Sequence, residues 1–171
     1  MSHSVTIRTQ TVTSSSSAII INTGYLKSWS GLLKVLELAL GIVCVGLMGY
    51  LFDKYYLIGY SYSYIMIPPS LFYFLIVTTF MITTFILLLS FTASISTESI
   101  LTKTVFELIY HGLACLLILI TAVVLFIKLD KRIVRSSDQY NLLLASAICA
   151  LINSVLYLLS VIIAFRSYRG L

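Results

Sequence analysis

Glu37 and Glu107 are the residues whose surroundings make them chemically unusual. Each lies in a long apolar run, GLLKVLELALGIVCVGLMGYLF and TVFELIYHGLACLLILITAVVLFI. A carboxylate at mid-bilayer costs ~2.5–3.5 kcal/mol on insertion scales and less near the edge, so it is expected to be paired or functional. Bases stand at helical spacing: Lys34 is three residues before Glu37, Lys103 four before Glu107, and His111 four after Glu107. Lys34, Glu37, Lys103, Glu107 and His111, with Asn153 in the last apolar run, form a candidate intramembrane polar cluster. Acids beside a histidine can relay protons. The favoured reading is that paired charges fix helix register near the headgroups, where long side chains reach water. Glu107 and His111 alone supply too few ligands for a metal.

The elements that must position these residues are membrane helices. Gly31 to Phe52 is about 22 residues, or ~33 Å as a helix, against a hydrocarbon core of roughly 30 Å. Further runs of that kind fall at 70–91, 104–127 and 140–165, and the last is long enough to tilt. The chain has 171 residues, 60% hydrophobic and only 10% charged, too few for a water-facing surface. The predicted fold is an all-α membrane protein, a four-helix transmembrane bundle. Odd-numbered helices run the same way, so Glu37 and Glu107 lie near one membrane face. The echo between Val35-Leu36-Glu37-Leu38 and Val105-Phe106-Glu107-Leu108 hints at a duplicated helix pair.

Residues 1–30 read as a Ser/Thr-rich disordered tail, open to phosphorylation, followed by an interfacial anchor of Tyr25, Lys27 and Trp29. No sustained apolar core precedes residue 30, so no cleavable signal peptide is expected. The loop from Tyr55 to Ser70, with tyrosines at 55, 56, 60, 62 and 64, is expected to lie on the membrane interface. Pro68-Pro69 then opens the second helix. Thr78, Thr79, Thr83 and Thr84 are expected to bond to carbonyls one turn back. Residues 92–103 read as a short polar link, 128–139 as a charged aqueous loop and 166–171 as a short basic tail.

Small residues mark where helices can approach: Ala39, Gly41, Gly46 and Gly49 on the first helix and Ala150 on the fourth. Packing within the bundle is favoured over dimerisation. The fourth helix repeats small and polar residues at Ser146, Cys149, Ala150, Asn153, Tyr157, Ser160 and Ala164. These are expected to bond between helices, with a pore-lining stripe as the alternative. Cys44, Cys115 and Cys149 all fall inside apolar runs, which argues against a disulfide framework.

No nucleophile–base set or phosphate loop is present, so the chain is expected to be non-enzymatic, with no cofactor. The +5 charge is spread over tails, loops and helix ends and does not indicate nucleic acid. Expected partners are membrane lipids and other membrane proteins, self-association included. Basic residues tie across the two faces. Lys27, Lys34, Lys103, Arg166 and Arg169 stand against Lys54, Lys128, Lys131, Arg132 and Arg135. Asp53 offsets Lys54, which tilts the balance toward a cytosolic N-terminus.

The four-span layout with a polar N-tail, small loops and a short C-tail resembles the MARVEL-domain proteins. Tyr25-Leu26-Lys27, Leu32-Leu33-Lys34-Val35-Leu36-Glu37-Leu38, Gly41-Ile42-Val43-Cys44-Val45-Gly46 and the Glu107–Gly112 start of the third helix resemble the chemokine-like-factor branch. The resemblance covers about 31–165. It implies cytosolic termini and roles in membrane apposition, vesicle trafficking or membrane fusion, cell–cell fusion included, at the plasma membrane, vesicles or cell contacts. A small channel or proton-coupled transporter using Glu37, Glu107, His111 and Asn153 is the alternative. An accessory subunit escorting another membrane protein is a third.

Overall fold

The computed structural model describes residues 22–57, 67–129 and 137–170. Its helices are α1 (Trp29–Leu51), α2 (Ile67–Ala93), α3 (Ile95–Leu101), α4 (Val105–Lys128) and α5 (Ser137–Tyr168). Four of them, all but α3, are long and apolar enough to cross a membrane. No strand occurs among the described residues.

Helix starts follow local chemistry. Ser28 caps α1: its hydroxyl accepts from the Gly31 amide at 3.1 Å and donates to the Tyr25 carbonyl at 2.7 Å. The helix therefore begins two residues before the apolar run. Pro68 and Pro69 occupy the first turn of α2, where a missing amide proton costs nothing. Ser94 caps α3, so the expected polar link contains a helical turn of its own. At its far end α1 widens into a π-helical segment, Phe52–Leu57. α5 extends beyond the expected 140–165 at both ends.

The long helices pack in a ring, α1 on α2, α2 on α4, α4 on α5 and α5 on α1. α1 therefore faces α4 across the centre, and α2 faces α5. Ala114 and Ala122 on α4 and Ala147 and Ala150 on α5 are buried, small residues that let helices pack tightly. Outward positions are apolar, including Ile42, Leu75, Ile86, Leu116, Val155 and Leu158. The water-soluble arrangement is inverted, as a hydrocarbon solvent requires.

Tyr25 departs from its expected place. It sits in a 3-10 turn (Tyr25–Lys27) and is 3% exposed, with its ring edge-on to Phe91 at 5.3 Å. Asn22 ties the same turn down: its amide donates to the Thr92 carbonyl and its side chain to Glu98 of α3. Residues 22–28 thus fold over the end of the bundle. The other two anchor residues, Lys27 and Trp29, do face outward, Trp29 at 79% exposure. Tyr60, Tyr62 and Tyr64 of the tyrosine loop, the Ser/Thr tail before residue 22 and most of the charged loop lie outside the described residues.

Candidate functional site: a buried polar column

Lys34 and Glu107 meet across the α1–α4 diagonal, Nζ to Oε1 at 2.5 Å. Both are buried, at 1% and 3% exposure. The ammonium also donates to Ser30 Oγ at 3.1 Å and stands 5.2 Å from the Phe91 ring centre and 6.0 Å from that of Tyr25. Tyr25 closes this end, its hydroxyl 3.3 Å from Ser30 Oγ. Burial pushes the Tyr25 phenol above its ordinary value, with Lys34 partly opposing, so the hydroxyl keeps its proton.

Glu37 lies beside this pair. Its Oε1 accepts from Ser160 Oγ of α5 at 2.5 Å. Its Oε2 has no hydrogen-bond partner and faces His111 Nε2, also unpartnered, at 3.9 Å. His111 is fixed by its other nitrogen, Nδ1, 2.7 Å from the Glu107 carbonyl.

A second layer lies next to the imidazole, with the Tyr110 and Tyr157 rings 5.0 and 6.1 Å from it. Thr84 Oγ1 is 2.6 Å from both tyrosine hydroxyls, and Tyr110 donates to the Phe80 carbonyl at 3.1 Å. A hydroxyl has one proton, which orders the chain. Tyr110 spends its proton on the carbonyl and accepts from Thr84, and Thr84 accepts from Tyr157. A third layer joins α2 to α5: Tyr73 donates to the Ser146 carbonyl at 2.8 Å and accepts from Ser146 Oγ at 2.9 Å. Asn153 is buried on the same helix, with Oδ1 unpartnered.

The expected pairings within single helices are replaced by pairings between helices. Lys34 reaches Glu107 and not Glu37. Lys103 is exposed, just ahead of α4, and stands apart from the cluster. Tertiary proximity outweighs helical spacing here because two buried charges neutralise each other best at contact. Of the small residues, Gly41 is buried against α2, where an added Cβ would stand 3.2 Å from Met81 Cβ. Ala150 is buried too. Ala39 and Gly46 are exposed, Gly49 is half-buried, and an added Cβ at Gly46 or Gly49 would have nothing within 4 Å. Their expected packing inside the bundle is therefore corrected: the α1 face that turns inward is set by Lys34, Glu37, Gly41, Cys44 and Met48. Thr79 and Thr83 bond back one turn as expected, whereas Thr84 is recruited into the tyrosine chain and Thr78 Oγ1 is unpartnered.

Sequence reasoning missed Ser30, Tyr73 and Tyr110. The tyrosines had a usable signal, since a phenol inside an apolar run needs a hydrogen-bond partner. Cys44, Cys115 and Cys149 are all free thiols.

Four apolar spans around a polar axis define an integral multi-pass membrane protein. The MARVEL family, described as a membrane-associating domain, matches residues 25–163, and the chain belongs to that family. No curated protein and no solved structure matched in the corresponding comparisons.

Proposed function

We propose that this chain is a non-enzymatic membrane organiser of the chemokine-like-factor type, acting in membrane apposition, vesicle trafficking or fusion. It works at vesicles, the plasma membrane or cell–cell contacts, with both termini in the cytosol. The observation that carries this reading is that the buried acids bind side chains of other helices: Glu107 pairs with Lys34, and Glu37 accepts from Ser160. Side chains so engaged join helices, and the outward surface is left to lipids and to other membrane proteins.

An N-terminal tag scored by immuno-electron microscopy after selective plasma-membrane permeabilisation tests the role and topology together. The expected result is a cytosolic tag on vesicles or at paired membranes. A lumenal tag overturns the topology, and a uniform signal over one organelle overturns the role. E107Q separates the organiser from the proton-coupled transporter. The organiser loses stability and has no flux to lose, whereas the transporter loses flux while folded.

A further inference from the structure

The hydrogen-bond roles at the α1–α4 diagonal do not close without one additional proton. The Glu107 carbonyl can only accept, so His111 Nδ1 must carry a hydrogen to meet it at 2.7 Å. In neutral imidazole this leaves Nε2 as a bare lone pair. What faces Nε2 is Glu37 Oε2, 3.9 Å away and equally unpartnered. Were Glu37 ionised, two acceptors would confront each other where neither atom has access to water. Glu37 and His111 are both 0% exposed, so solvent cannot relieve that clash.

Charge gives the same answer independently. Lys34 and Glu107 cancel as an ion pair. An ionised Glu37 beside neutral His111 would leave the cluster one charge negative in an apolar bundle. The other groups around the pair supply no compensation: Ser160 and Tyr157 from α5, Tyr110 from α4 and, beyond the tyrosines, Thr84 from α2 are all neutral.

We infer that Glu37 and His111 form a buried proton-binding site, holding a single proton between Oε2 and Nε2. The proton resides on the carboxyl or on the imidazole; at 3.9 Å the two atoms face each other without a hydrogen bond, and a side-chain adjustment of about 1 Å brings them to hydrogen-bond distance. In both forms the cluster is electroneutral and the facing atoms become donor and acceptor. The site ties α1 to α4 beside the Lys34–Glu107 pair. It differs from a conduction path in needing no exchange with either aqueous face, and it stands whether or not the proposed organiser role does.

The test is infrared spectroscopy of the full-length protein in lipid vesicles at neutral pH, with nitrogen-15 NMR of His111. Wild type is expected to give either a protonated-carboxyl carbonyl band that vanishes in E37Q or an imidazolium signature at His111 that vanishes in E37Q. The E37Q amide is isosteric, keeps an oxygen to accept from Ser160 and turns its NH2 toward Nε2, so this variant is expected to keep its helicity by circular dichroism. If E37Q nonetheless fails to fold, carbon-13 labelling of the three wild-type glutamates, with E98Q and E107Q to assign the other two, reads the protonation of Glu37. A carboxylate at Glu37 together with neutral imidazole at His111 overturns the inference. So does a carboxyl band that E37Q leaves unchanged, unless the imidazolium is present.

Discussion

Lys34 and Glu107 are 73 positions apart in sequence, yet each is the other's counter-charge. Removing one partner leaves a buried unpaired charge, which is worse than having neither. K34M or E107L alone is therefore expected to lower stability by about 3 kcal/mol, and the double variant to recover most of that loss. Unfolding in mixed micelles, run as a double-mutant cycle, measures it; additive losses would mean that the two side chains do not interact. Snorkelling of Lys34 toward the headgroups would shrink the effect of E107L relative to K34M. The Tyr157–Thr84–Tyr110 chain belongs to the same scale. Its direction follows from the single proton on each hydroxyl and from the carbonyl that ends it.

At the scale of elements, glycine position separates two faces of α1. At Gly31 an added Cβ would stand 2.1 Å from the Tyr25 carbonyl oxygen, a backbone atom that cannot step aside without unfolding the 3-10 turn. G31A is expected to destabilise by about 2 kcal/mol and to release the cap formed by residues 22–28. At Gly46 nothing lies within 4 Å, and a helical Gly→Ala exchange gains up to ~1 kcal/mol in propensity. G46A is therefore expected to be neutral or stabilising. Thermal unfolding in detergent, with proteolysis reporting on the cap, distinguishes them. Equal costs at the two sites would show that Gly46 is covered by a partner helix. The obstacle at Gly31 is the 3-10 turn folded back over the helix start and at Gly41 it is Met81 of α2, whereas Gly46 is exposed on another face of the same helix.

For the whole molecule, the inside-out distribution of polarity sets the position in the bilayer. Trp29 is the sole tryptophan and is largely exposed at the start of α1. Its indole is expected at headgroup level, with the ring in the apolar zone and the N–H wet. Its fluorescence should be quenched most strongly by lipids labelled near the headgroup and least by those labelled at the acyl terminus. Strongest quenching from the acyl terminus would place α1 at the wrong depth and displace the Lys34–Glu107 pair with it.

Apolar runs long enough to span, broken by polar links, are a property of consecutive residues. The sequence by itself therefore determined that the chain crosses a membrane four times and that Glu37 and Glu107 lie near one face. The inward stripe of α5 was legible for the same reason, since Ser146, Asn153, Tyr157 and Ser160 recur at the helical period. Which charge pairs with which was decided only by the ring order of the helices, because α1 and α4 meet across a diagonal that no local spacing encodes. Helical spacing offered Lys103 to Glu107, and the bundle supplied Lys34 instead, with Lys103 left outside. The inward face of α1 was likewise settled by packing: four small residues offered several faces, and burying Lys34 and Glu37 against their partners selected the one that leaves Ala39 and Gly46 exposed.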